Sequence, residues 1–159
     1  MKGTGSLEKF NAAYIIDANV AMGAGGRVAI YYQDQKISYR DLQREINKAG
    51  NALKNLGIEM ENRIAILLPN CPEFIACLFG AMKIGAVPVT LNTMMMPEDY
   101  QYFLNDSRAK VIVVSSEMAP QIEALRGNLG YLKHIITVGE AGEHQIAYHK
   151  RMLVPGPDL

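Results

Sequence analysis

The stretch FGAMKIGAVPVTLN, residues 79–92, decides the fold. It begins inside an apolar run whose spacing predicts a helix over 72–84. Phe74, Ile75, Ala76, Cys77, Leu78, Phe79, Ala81 and Met82 leave that helix almost no polar face. A helix apolar nearly all round is buried, either within its own domain or against a partner. Gly85 stops it, because glycine enters the left-handed backbone of a helix end without a Cβ clash. AVPVTLN then reads as a short strand. Pro88 has no N–H to give a ladder, so the strand belongs at a sheet edge or a bulge. Buried helix, glycine stop and short strand in succession form one unit of a layered α/β protein.

The pattern repeats on both sides. Upstream, RIAILLP (63–69) is an unbroken apolar run of strand length, as a strand covered on two faces should be. PNCPEF (69–74) follows, with Pro72 suited to a first helical turn. Earlier still, RVAIYYQ (27–33) and ISY (37–39), joined by DQK (34–36), predict a β-hairpin. Ser38 is placed to cap the next helix, with Asp41 three residues on. That helix carries Leu42, Ile46, Ala49, Leu53 and Leu56 on one face and ends at Gly57. Downstream, MPEDYQYFLNDS (96–107) predicts a short helix with Pro97 at its start and Glu98 and Asp99 in its positive first turn. AKVIVVSS (109–116) is a third buried strand, MAPQIEALRGNLG (118–130) a helix ending in glycines, and LKHIITVG (132–139) a fourth strand. The expected fold is α/β, a mainly parallel sheet with helices on both faces plus an N-terminal β-hairpin. Residues 64–68 and 111–114 should lie at the sheet centre. Residues 1–139 are assigned to one α/β subdomain. From Glu140 the apolar pattern weakens, and residues 140–159, ending LVPGPDL, read as a linker or truncated end.

Composition narrows the function classes. The 159 residues are 49% hydrophobic, which suits a packed core and argues against disorder. Sixteen Lys and Arg balance sixteen Asp and Glu, and the basic residues are scattered. No electrostatic footprint for nucleic acid or an anionic membrane is visible. Two cysteines without a CxxC suggest reduced thiols and a cytoplasmic location. MKGTGSLEKF has no apolar core of a signal peptide, and no apolar run is long enough to span a membrane.

Motifs for chemistry are scarce. GAGG (23–26) precedes a strand, whereas a dinucleotide loop follows one and opens a helix, and KGTGS (2–6) has no strand before it. Both read as flexible loops. His134 opens a strand, while His144 and His149 are five apart, unlike a helical zinc pair. Cys71 and Cys77 read as small buried hydrophobes. Asp106 and Arg108 suggest an exposed ion pair closing a helix. MMM (94–96) reads as a flexible apolar contact surface or as core. No catalytic, cofactor-binding or metal-ligating residue can be assigned.

Three stretches together are more specific. ISYRDL (37–42), PNCPEF (69–74) and MKIGAVPVTLN (82–92) stand in the order and spacing of the N-terminal region of the adenylate-forming (AMP-binding) enzymes. The first resembles the family's (L/I)TYxEL, with Ser38 for Thr and Asp41 for Glu. The third resembles its lKaGaxxvPl(N/D). FNAAYIID (10–17) and NTMMMPEDYQYFLNDSRAKVIVVS (92–115) are most similar to the benzoate- and other aryl-CoA ligases, and medium-chain acyl-CoA ligases use similar wording. The resemblance implies an ATP-dependent reaction in which a small carboxylic acid becomes an acyl-adenylate and then an acyl-CoA, with ATP, Mg²⁺ and CoA as the parent enzyme's cofactors. The family's phosphate-binding loop with its Lys, its adenine and ribose contacts, its hinge and its C-terminal lid have no counterpart here. The resemblance therefore implies the leading subdomain only. Such a chain should be inactive alone, should bind none of these cofactors well, and should have the core and C-terminal domains of the same enzyme as partners. Apolar surface around residues 94–96 and 74–82 would then favour a homodimer. The alternative is a free-standing α/β binding or interaction module without ligase activity.

Overall fold

The structure, a computed structural model, describes residues 11–152. Helix α1 (Tyr14–Asn19) runs into a wide turn, Val20–Ala24, kinked at Gly23. Strands β1 (Val28–Tyr32) and β2 (Gln35–Ser38) pair antiparallel, with Ile30 opposite Ile37 and Tyr32 opposite Gln35. The expected hairpin is present, but its turn falls at residues 33–34, earlier than DQK. Tyr39 does not end the second strand. It opens α2 (Tyr39–Asn55), because the Ser38 hydroxyl accepts the Asp41 N–H at 3.2 Å and donates to Asp41 Oδ2 at 2.6 Å. A satisfied helix cap fixes the boundary there.

The chain then alternates through β3 (Arg63–Leu67), α3 (Pro72–Lys83), β4 (Val87–Thr90), α4 (Pro97–Asp106), β5 (Val111–Ser115), α5 (Ala119–Leu125) and β6 (His134–Val138). Strand β7 (Ile146–Ala147) and helix α6 (Tyr148–Met152) follow. Among the described residues the main sheet has the order β4-β3-β5-β6-β7, and every neighbouring pair is parallel. The linker expected at 140–159 is corrected over residues 146–152. Ile146 and Ala147 pair with Ile136 and Thr137, and Tyr148 is only 3% exposed. A two-residue strand has no periodicity to read, so its pairing with β6 alone reveals it.

Strand alternation sends side chains to two cores. Ile64, Ile66, Val111, Val113 and Ile136 pack with Ala49 and Leu53 of α2, Ala76, Cys77 and Ala81 of α3, and Tyr148. Ala65, Leu67, Ile112, Val114 and Ile135 pack with Tyr100 and Leu104 of α4 and Ala119 and Ile122 of α5. Strands β3 and β5 are therefore covered on both faces, as their unbroken apolar runs require. Each such isoleucine stabilises the fold by about 1.5–3 kcal/mol over leaving it in water. A third cluster joins Ile16 of α1, Ile30 and Ile37 of the hairpin, Leu42 and Ile46 of α2, and Ile75 and Phe79 of α3. Helix α3 thus lies between the sheet and an outer layer, which explains its apolar circumference. Gly85 has φ +80°, and Pro88 lies on β4, the edge strand.

Candidate functional site

In open α/β sheets, ligands bind outside the carboxyl ends of the strands where the winding reverses. Here the reversal lies between β3 and β5. The segment Leu68, Pro69, Asn70, Cys71 leaves β3 and turns into α3, while Ser116 leaves β5. The Ser116 N–H donates to the Val138 carbonyl at 2.9 Å. Gly139, at φ +102°, sits so close that a Cβ on it would lie 2.6 Å from Ser116 Oγ. The loops after β5 and β6 are therefore closed on each other.

The open side is next to β3. A groove of about 410 Å³ runs between the first turns of α3 and strand β1, lined by Ile30, Tyr31, Tyr32, Asn70, Phe74 and Phe79, with Tyr39 and Cys71 at its rim. Its polar groups are three phenol hydroxyls, one amide and one thiol. Burial pushes the Cys71 thiol up to about 11, so it stays protonated near neutral pH. Cys77, deeper on α3, is pushed up to about 12 by burial. Its neighbour Tyr148 is also raised, chiefly by burial. Neither thiol is a nucleophile at neutral pH. The groove can accept a flat or chain-like apolar group. Among the described residues that line it there is no cation for phosphates and no carboxylate for a magnesium ion, so this donor set does not fit Mg-ATP.

The other sequence candidates scatter. His134 opens β6, and His149 packs edge-on against Tyr148 with ring centroids 5.4 Å apart. Among the described residues no three His, Cys, Asp or Glu side chains converge as metal ligands. GAGG serves the start of α2: the Gly25 carbonyl accepts the Arg40 N–H at 3.0 Å. KGTGS lies outside the described residues. Arg108 lies 5.6 Å over the Tyr131 ring, and no ion pair among the described residues includes Asp106. The methionine triplet is split: Met94 and Met96 are 88% and 65% exposed, whereas Met95 packs on the α4–α5 core.

The motif letters hold scaffold places. Lys83 Nζ reaches Asp17 Oδ2 at 2.9 Å and Asn47 Oδ1 at 2.7 Å, and Gln43 Nε2 donates to Asp17 Oδ1 at 2.8 Å. This cluster ties FNAAYIID to MKIGAVPVTLN, a link that sequence reading missed. The available signal was a lysine closing an otherwise apolar helix. Asn92 Oδ1 accepts the Met94 N–H at 2.9 Å, and the Asn92 carbonyl accepts the Tyr100 hydroxyl at 3.0 Å. Asp99 caps α4 by accepting the Met96 N–H at 3.1 Å. Asn105 joins α4 to the segment before β6, donating to the Asn128 carbonyl at 2.9 Å and accepting the Gly130 N–H at 3.2 Å.

Known proteins share this architecture. A family model described as AMP-binding enzyme matches residues 17–153. A 4-hydroxybenzoate–CoA/benzoate–CoA ligase of Rhodopseudomonas palustris is 41% identical over 136 residues, covering 85% of this chain and 25% of the relative. A benzoate–CoA ligase of Thauera aromatica is 34% identical over 142 residues, covering 88% of this chain and 27% of the relative. The crystal structure of an anthranilate CoA ligase in complex with anthranoyl-AMP superposes with a TM-score of 0.85 at 32% identity, covering 96% of this chain and 28% of that one. The chain spans about a quarter of the length of the curated relatives it matches. The match embraces the hairpin, the sheet and the lysine-to-asparagine motif alike, and on that ground the chain belongs to the AMP-binding enzyme family.

Proposed function

We propose that this chain is the leading part of an ATP-dependent acid–CoA ligase that joins an aryl acid of the benzoate type, or a medium-chain acid, to CoA with release of AMP and pyrophosphate. The observation that carries this reading is the 41% identity over 136 residues with a 4-hydroxybenzoate–CoA/benzoate–CoA ligase. The described residues act as scaffold: they set the sheet, close its edge at β4 and hold α1 against α3. ATP, Mg²⁺ and CoA contacts come from the rest of the polypeptide. Exposed Met94 and Met96 support a second role, as surface that the remaining domains cover. With those domains absent, the chain is expected to associate, most simply as a two-fold dimer. Among the described residues no helix is long and apolar enough to cross a membrane. Reduced thiols at Cys71 and Cys77 support a cytoplasmic setting.

The test uses the full reading frame that contains these residues. Its product is incubated with ATP, Mg²⁺, CoA and a panel including benzoate, 4-hydroxybenzoate and hexanoate, and pyrophosphate release is followed. Release driven by one or more of these acids is expected, together with none above the blank from the 159-residue chain alone. A full-length product inert to the whole panel overturns the substrate reading. Turnover by the short chain overturns the scaffold reading. A free-standing binding module would show neither activity.

A further inference from the structure

Three basic residues that are far apart in sequence hold equivalent places. Arg63 opens β3, Lys110 immediately precedes β5, and Lys133 immediately precedes β6. Parallel pairing sets these amino ends side by side: the Lys110 N–H donates to the Arg63 carbonyl at 3.0 Å, and the Lys133 N–H to the Lys110 carbonyl at 2.8 Å. Below them opens a pocket of about 330 Å³ lined by Arg63, Arg108, Lys110 and Lys133 together with Asn62 and Tyr131. Among the described residues no carboxylate lines it. Lys110 Nζ donates to Asn62 Oδ1 at 2.8 Å, and Arg63 Nη1 to the Glu61 carbonyl at 3.0 Å. Both acceptors are neutral, so neither cation is cancelled. Glu98 and Asp106 line the adjoining groove, which shares Arg108 and Tyr131 as a wall.

One ordinary explanation is that these cations answer the helix ends at this edge. Helices α2, α3, α4 and α5 all finish at this edge, each with roughly half a negative charge at its carboxyl end. Four such ends offset about 2 of the four positive charges, so about 2 are left over. That excess is concentrated in one pocket of a chain whose net charge is zero. Such an excess suits phosphate oxygens, which guanidinium and ammonium groups bind through short charge-assisted hydrogen bonds.

We propose that this pocket binds a small phosphorylated anion, with Arg63, Lys110 and Lys133 on its phosphate oxygens and the stacked Arg108–Tyr131 pair as the side wall. The pocket lies at the amino ends of the strands, opposite the groove beside α3, and the proposal does not rest on the ligase reading. Calorimetric titration of the 159-residue chain with inorganic pyrophosphate at fixed ionic strength tests it. Two variants of equal charge loss are compared, Arg63→Gln with Lys133→Gln and Lys36→Gln with Arg44→Gln. All four side chains belong to exposed residues, and circular dichroism checks that both variants fold. Saturable binding is expected, weakened at least tenfold in the first variant and less than twofold in the second. No saturable heat, or equal weakening in both variants, overturns the assignment and leaves only diffuse charge attraction.

Discussion

The two faces of the parallel sheet are built from the same alternating strand residues, yet they are covered differently. On one face α2 and α3 pack on Ile64, Ile66, Val111 and Val113, and α1 and the hairpin cover α3 in turn. On the other face α4 and α5 pack on Ala65, Leu67, Ile112 and Val114 and then meet water, leaving Tyr102 63% and Phe103 40% exposed. The thicker face needs tighter joints. Helices α2 and α3 meet at Gly80, where a Cβ would lie 2.9 Å from both the Gly50 nitrogen and the Ile46 carbonyl oxygen. On the thinner face the large Tyr100 fills the space and hands its hydroxyl to the Asn92 carbonyl. The number of layers over a helix decides whether its outward residues are apolar, and the closeness of the layers decides where glycine stands.

The sharpest way to break this contrast is Gly80→Leu. The atoms it meets are the Ala49 Cβ and two backbone atoms, none of which can swing aside, so the two helices must separate. A loss of about 3 kcal/mol is expected, at the upper end of overpacking costs. Gly127 has nothing within 4 Å of an added Cβ, and Gly127→Ala should change stability by less than about 0.5 kcal/mol. Urea midpoints of the two variants check this. Equal effects would mean that the close helix joint is not what holds the thick face.

Next in size is Lys83→Met. The Lys83 side chain is 10% exposed and is the charged partner of Asp17, which among the described residues is left with the Gln43 amide. Stranding a part-buried carboxylate costs about 2 kcal/mol. The loss should fall on α1 first. Hydrogen exchange is therefore expected to rise in residues 14–19 while β3 and β5 stay protected. Uniform loosening of the whole sheet would contradict a local clamp.

The contrast also explains what the sequence could disclose. The apolar runs of β3 and β5, the Ser38 cap, the Gly85 stop and the Pro88 edge are local facts, written in consecutive residues and repeated in the structure. Strand β7 is not local: it exists because Ile146 finds Ile136. Helix α1 buries little besides Ile16, too little to leave a periodic pattern. Helix α3 could be read as buried but not under what, because its cover comes from residues some forty positions earlier. The candidate grooves were illegible for the same reason. One joins residues 30 to 79 across two layers, and the basic pocket gathers residues that look scattered until parallel pairing aligns them.

A third effect is confined to the thick face by titration. Cys77 and Tyr148 touch there, and burial raises both in the folded state. A group raised by folding keeps its proton in the native state after the unfolded chain has lost it, so stability falls as pH rises. For Cys77 the window opens near the ordinary thiol value of 9.0 and closes near the folded value of about 12. Urea midpoints should therefore hold from pH 7 to 8 and decline above 9. Cys77→Ala should flatten the decline even if its midpoint at pH 7 is lower. An unchanged slope would remove Cys77 as the cause.

The smallest effect belongs to the thin face. Glu123 meets Arg126 in a two-point pair, Oε1 to Nε at 2.6 Å and Oε2 to Nη2 at 3.1 Å, with both side chains about one-third exposed at 32% and 33%. The Arg126 guanidinium, bonded to it, holds the Glu123 carboxyl below its ordinary range. Water screens such a pair, so Glu123→Gln should cost less than about 1 kcal/mol at pH 7. Its pH dependence runs opposite to that of Cys77. A carboxylate lowered by folding contributes above its unfolded value of about 4.3, and the contribution is lost as pH falls through the folded value. Wild type and variant should thus differ slightly at pH 7 and converge in acid. Lys83→Met and Glu123→Gln, measured side by side, set a partly buried clamp against a solvent-screened pair. A larger loss from Glu123→Gln would reverse the ranking of the two faces and make the pair on α5, rather than the covered layer around α3, the stronger electrostatic support.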